Sequence, residues 1–104
     1  MNNLKLLIVT VVDHYDKSVL QLFKEAQIES FSGSDIDGYK DVSSFKMNSS
    51  WFPSVKSGAD SSMFFSFTTD DKIDVFFSKV AQFNESLETN NPIHAVVVPI
   101  ERRI

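Results

Sequence analysis

The chain has 104 residues and no cysteine. Disulfides, thiolate metal sites and a cysteine nucleophile are therefore excluded, and the composition suits a reducing compartment. There is also no run of lysine or arginine, and the formal net charge is −4. Nonspecific attraction to nucleic acid or to an anionic membrane is not expected from such a chain. The apolar run Leu6–Val12 is too short to span a bilayer. Acidic residues follow it at once, and nothing after it reads as a signal-peptide cleavage site. The cytoplasm is the expected location. No catalytic constellation stands out either. The serines have no His and acid partner at recognisable spacing, there is no nucleophile elbow, and two histidines among scattered carboxylates select no reaction. The chain reads as non-enzymatic.

What is present reads as one small domain spanning residues 1–104. "LKLLIVTVV" (Leu4–Val12) is β-branched and apolar on both faces, as a doubly covered strand would be. Asp13 or Asp16 in "DHYD" is placed to cap a helix running from about Lys17 to Gln27, with Val19, Leu20, Phe23 and Ala26 on one stripe. Ile28–Tyr39, poor in apolar residues and broken by Gly33 and Gly38, reads as an irregular edge strand. A long serine-rich loop then runs from Asp41 to Ser62 and holds the single tryptophan. "SMFFSFTT" is a strong strand, with Met63, Phe65 and Phe67 on one side and Phe64, Ser66 and Thr68 on the other. Thr69 or Asp70 opens a second helix with Ile73, Phe76, Phe77, Val80 and Leu87 as its buried stripe. "ETNNP" is a turn, and "IHAVVVPI" (Ile93–Ile100) closes the chain as a strand.

The order β-α-β-β-α-β is the split-βαβ, ferredoxin-like pattern. Right-handed crossovers put both helices on one face of a four-stranded antiparallel sheet of order 4-1-3-2. Two helices cover one face only. Yet Leu6, Ile8 and Val12 oppose Leu7, Val9 and Val11, and Val96, Val98 and Ile100 oppose Ile93, Ala95 and Val97. An apolar second face implies a cover, either a further subunit or the long loop folded back; monomers rarely leave such a patch bare.

On these residues the chain resembles the PII-like superfamily, which includes the nitrogen regulatory PII and CutA-like proteins. The resemblance is architectural and covers nearly the whole chain. It rests on the first strand "LKLLIVTVV", the loop Asp41–Ser62, the strand "SMFFSF" and the closing "PIHAVVVPIE". It implies a trimer with inward-facing sheets and clefts between subunits near the base of the loop. In PII proteins those clefts bind adenine nucleotides, and the loop contacts a partner such as a transporter or an enzyme. The phosphate-binding segment of PII proteins corresponds here to "KSGADSSMFF". Gly58 and Asp60 remain, the later glycine and the phosphate-contacting lysine are absent, and Lys56 lies upstream as a substitute. "ERRI" supplies Arg102 and Arg103 after the last strand. The implied small-ligand site gathers Gly38, Lys56, Gly58, Arg102 and Arg103. The loop presents Trp51, Phe52 and Pro53 to a partner protein, or Trp51 packs on a neighbouring subunit and anchors the loop. An ACT domain has the same topology but a short loop between its second and third strands, and a metallochaperone of this fold needs paired cysteines.

Other candidates compete with plain structural roles. Asp13, His14 and Asp16 are chemically apt for a divalent metal, as is a CutA-like site pairing His14 with His94 of another subunit; capping and an ordinary strand histidine are the alternatives. Asp35 and Asp37, with Asp41 nearby, suit a hard cation or simply an aggregation-resistant edge. Lys56, Arg102 and Arg103 suit an anion. The phenylalanines are spaced as core residues rather than as an RNA-stacking platform, since the first strand carries no aromatic. An interaction module with no small ligand is the remaining alternative.

Overall fold

The computed structural model describes residues 3–38, 59–87 and 91–104. Strand β1 (Leu4–Val12) passes through a 3-10 turn (Asp13–Tyr15) into helix α1 (Asp16–Glu25). Strands β2 (Ser32–Gly38) and β3 (Ala59–Thr69) follow, then helix α2 (Asp70–Glu85) and strand β4 (His94–Pro99). The sheet order is β2-β3-β1-β4, with every neighbouring pair antiparallel. This is the expected α+β, ferredoxin-like arrangement, with 4-1-3-2 read from the other edge. No helix among the described residues is long and apolar enough to cross a membrane.

The core forms where the helices cross the sheet. Leu7, Val9 and Val11 of β1 are fully buried, and Val19, Leu22 and Phe23 of α1 and Phe76 and Val80 of α2 close over them. Phe23 is central: its ring stacks on Phe76 at 4.8 Å and on Phe31 at 4.6 Å, and meets Phe64 edge-on at 5.9 Å. Gly33 lies across from Phe64 in the β2–β3 ladder. A Cβ there would come within 2.9 Å of the Phe64 ring, so the aromatic cluster requires a glycine at that position.

Three local devices hold the elements in place. Helix α1 ends in a Schellman motif: Gln27, at φ 61°, donates from its N–H to Lys24 O, and Ile28 N–H donates to Phe23 O. At the other end of the core, Asn84 pairs with the backbone of Ile93, donating from Nδ2 to its carbonyl at 3.0 Å and accepting its N–H at 2.9 Å. Lys5 meets Asp70 at 2.9 Å, tying the start of β1 to the start of α2.

Several sequence expectations need correction. Ala59–Ser62 belongs to β3 rather than to the loop, and Ser61 and Ser62 are buried in the sheet. Their small polar side chains hid a strand that is covered by neighbours rather than by its own bulk. Neither Asp13 nor Asp16 caps α1. Tyr15 holds the cap position without a side-chain bond, and the Asp16 carboxylate turns to Ser62 instead. Leu22, not Leu20, completes the α1 stripe, and Phe77 lies on an exposed flank of α2. The loop residues 41–58 lie outside the described residues.

The second sheet face is apolar, as the strand pattern predicts. Strand alternation and ladder register place Leu6, Ile8, Met63, Phe65, Phe67, Val96 and Val98 on it together. Phe67 is 55% exposed, and Val96 and Val98 are more than a third exposed.

Candidate functional site

The predicted site residues that are described fall at two opposite ends of the sheet. At one end β1 begins and β4 stops. There Asn3, Lys5, Glu101, Arg102 and Arg103 border an open hollow of about 500 Å3. Arg102 and Arg103 are exposed, and their guanidinium forks suit a phosphate or a carboxylate. Lys5 lies beside them but is engaged with Asp70.

At the other end β1 stops, β2 ends and β3 begins. Gly38 is there, paired with Ala59. Lys5 pairs with Pro99 at the first end, and Val12 pairs with Ser61 at the second. Seven residues of strand at about 3.3 Å each separate them by roughly 23 Å. Within one chain, then, Gly38 and the arginines do not converge on one small molecule. Lys56, Gly58, Trp51, Phe52 and Pro53 lie outside the described residues.

The Gly38 end is acidic. Asp13, Asp35, Asp37 and Asp60, together with Ser61, line a hollow of about 220 Å3. The register explains the grouping, because Asp35 sits across from Ser62 and Asp37 across from Asp60. Beneath them the Ser62 hydroxyl lies 2.8 Å from Asp13 Oδ1 and 2.9 Å from Asp16 Oδ2. One hydroxyl carries one hydrogen, so it can donate to only one of these carboxylates at a time. The second contact is a hydrogen bond only when that carboxyl brings its own proton. Burial pushes the Asp16 carboxyl above its ordinary value, and the Asp13 and Asp35 charges push the same way against the hydrogen bond from Ser62. Asp16 Oδ1 is buried with no hydrogen-bond partner among the described residues. This trio was not legible from sequence: Ser62 lies in a serine-rich stretch where nothing marks it out from its neighbours.

His14 sits exposed in the 3-10 turn with its ring edge-on to Tyr15 at 4.9 Å. His94 opens β4, paired with Thr10 of β1 and half-buried. Burial lowers the imidazole pKa from its usual value. Among the described residues no group of three or more His, Cys, Asp or Glu side chains is arranged to hold a metal ion.

No protein-family profile matches the chain, and no curated protein matches its sequence. Solved structures do match. One is CPII, a nitrogen regulatory PII-like protein from Thiomonas intermedia bound to ADP, AMP and bicarbonate. It is similar at 11% identity over 97% of this chain and 96% of that one, with a TM-score of 0.62. A DUF3240 family protein from Shewanella baltica is similar at 14% identity over 99% and 96% of the two chains, with a TM-score of 0.66. A proposed PII-like signalling protein from Thermus thermophilus is similar at 12% identity over 93% and 86%, with a TM-score of 0.57. The resemblance read from the strand pattern is thus shown at the level of fold: over nearly its whole length the chain folds as PII-like proteins do.

Proposed function

We propose that the protein is a non-enzymatic, PII-like regulatory or ligand-binding protein of the cytoplasm that works as a homo-oligomer, a trimer by analogy with the fold. The observation that carries this reading is the apolar sheet face around Phe65, Phe67, Val96 and Val98, which no element among the described residues covers. A face of that kind is a protein interface more often than a free surface, and a second copy is the commonest partner.

Assembly also supplies what one chain lacks. Gly38 and the two arginines are a sheet length apart, so a small ligand that meets both must sit between copies. One copy brings Gly38, with Lys56 and Gly58 on the segment that follows. The next brings Arg102 and Arg103, to hold an anion. The relative CPII is bound to adenine nucleotides and bicarbonate, which makes these the first ligands to try. The part of the expected loop that precedes β3, from Asp41 to Gly58, with Trp51, Phe52 and Pro53, then contacts a partner protein such as a transporter or an enzyme, and ligand binding repositions it.

The test has two arms. Sedimentation at micromolar concentration is expected to give an oligomer; a monomer near the chain mass of 11.8 kDa sinks the reading. A thermal-shift panel of ATP, ADP, AMP, bicarbonate and divalent metals, with Trp51 fluorescence read in parallel, tests the ligand. A ligand at about 100 times its Kd stabilises the native state by about 2.7 kcal/mol. Arg102→Ala with Arg103→Ala is expected to abolish the shift. An oligomer that responds to nothing in the panel leaves an interaction module without a small ligand.

A further inference from the structure

We propose that the outer edge of β3 at residues 66–69 is a docking slot for an extended segment of another protein, which adds there as a short strand. The slot goes beyond the oligomer reading above, because it lies within one chain and at the edge of the sheet.

Two ladders of unequal length make the slot. Strand β1 pairs with β3 from Ser61 to Thr69, whereas β2 pairs with it only from Ala59 to Phe65. Successive residues of a strand aim their N–H and C=O groups at opposite neighbours. Of residues 66–69, one alternate pair therefore serves β1. The other pair aims at a column where, among the described residues, no strand stands. The cause is the chain before β2. Helix α1 ends in its Schellman motif, and Ile28 turns into the core, 2% exposed. Residues 29–31 then cross from the helix layer to the sheet without joining the ladder. They meet β3 through a side chain: the Ser66 hydroxyl donates to Ser30 O at 2.6 Å.

Two hollows meet along this edge and share Glu29, Ser30, Ser66 and Phe67. The larger, of about 510 Å3, adds Phe31 and Phe65. The smaller, of about 270 Å3, adds Thr69 and Lys72. An added strand points successive side chains to opposite faces. One set meets the phenylalanines, with Phe67 the most exposed at 55%, and takes apolar residues. The other set meets Lys72, Glu29 and the Thr69 hydroxyl, and takes polar residues. Main-chain hydrogen bonds then supply affinity, and the two hollows supply the choice of side chains.

The slot also selects the form of its occupant. Four residues of strand span roughly 13 Å, and β2 closes one end of that length where it begins at Ser32. The free edges of a second copy, β2 with 7 residues and β4 with 6, are longer and belong to a folded sheet. A linear segment with alternating apolar and polar side chains fits the length and both hollows.

The experiment uses the full chain. Amide hydrogen exchange is read first without a partner. The alternate amides of residues 66–69 that face away from β1 are expected to exchange at least about tenfold faster than those that face it. If all of them are slow, the chain itself or a second copy already fills the column, and the proposal is overturned. The probe is then a displayed library of random linear octapeptides, selected on the same protein. The winning peptide is expected to slow the fast amides of residues 66–69. Methylating one alternate set of its backbone nitrogens should weaken binding at least about tenfold, while methylating the other set leaves it within about twofold, because only one set faces β3. Phe67→Lys, at an exposed position, should weaken binding by a similar factor, with circular dichroism confirming the fold; if that variant does not fold, the two methylated peptides decide on the wild type. A library that yields no binder overturns the proposal. So does a winner that slows amides elsewhere, or one that tolerates both methylations and therefore docks by side chains alone. A monomer in sedimentation removes the oligomer reading and leaves the slot to be decided by these peptides.

Discussion

Replacing Asn84 by alanine tests the device that joins the second helix to the last strand. The Asn84 amide accepts the Ile93 N–H and donates to the Ile93 carbonyl. Ile93 is only 3% exposed, so water has little access to repair the loss. Two hydrogen bonds contribute about 1 kcal/mol each, and leaving their buried partners unpaired adds to the loss. The expected destabilisation is about 2–3 kcal/mol. For a domain of about 100 residues that lowers Tm by roughly 10–20 °C. Urea unfolding at one fixed protein concentration measures it, since assembly makes stability concentration-dependent. Asn84→Asp sharpens the test. Its carboxylate still accepts from Ile93 N–H but sets an anionic oxygen against the Ile93 carbonyl, and only the protonated acid donates there. Its folded pKa is therefore raised. Relative to wild type its stability is best below the ordinary Asp value of about 3.9 and is lost as pH rises through the folded value. A loss under about 0.5 kcal/mol for Asn84→Ala, within the range of an ordinary surface change, would refute the reasoning.

Three further changes are predicted from the same packing. Gln27 holds a left-handed conformation at the end of α1, so Gln27→Gly is expected to raise stability by about 0.5–1 kcal/mol in chemical denaturation. Gly33→Ala drives a methyl group into the Phe64 ring and is expected to cost about 1–3 kcal/mol, with the near-ultraviolet aromatic signal altered. Asp16 has its folded pKa raised, so its contribution to stability is full below the ordinary value of 3.8 and is lost as pH rises through the folded value. Asp16→Asn should thus be more stable than wild type near neutrality, with the gap closing in acid melts; a constant gap would contradict the charge argument.

Much of the fold was legible because apolar periodicity is a direct record of burial. Alternation alone set Leu7, Val9 and Val11 against Leu6 and Ile8, and burial shows that the first set faces the helices. The errors arose where burial is achieved without apolar bulk. Ser61 and Ser62 read as loop because serine carries no strand preference, yet the sheet buries both. Asp16 reads as a cap because that is the usual task of an acid before a helix; its actual partner is Ser62, 46 positions away, and no local pattern encodes it. The candidate site was less legible for a different reason. Arg102, Arg103 and Gly38 were chosen for chemistry, but a site is defined by convergence. Sheet topology puts the arginines at one end and Gly38 at the other, a fact that spacing along the chain does not contain.

The hairpin register gives the segment between β2 and β3 a separate standing. Gly38 pairs directly with Ala59, Asp37 with Asp60 and Asp35 with Ser62. The ladder is thus closed at the point where the chain leaves the sheet and returns to it. Closing a loop costs conformational entropy that grows only with the logarithm of its length. Roughly 20 residues in place of a four-residue turn add about 1.4 kcal/mol. The ladder and the core that holds it must outweigh that cost, and the register alone does not require so long a connection. A connection of this length, holding the chain's only tryptophan, is more often functional than an ordinary hairpin turn. The fold and the proposed partner contact are therefore separable: the sheet sets where the segment begins and ends, and the proposal assigns recognition to Trp51, Phe52 and Pro53.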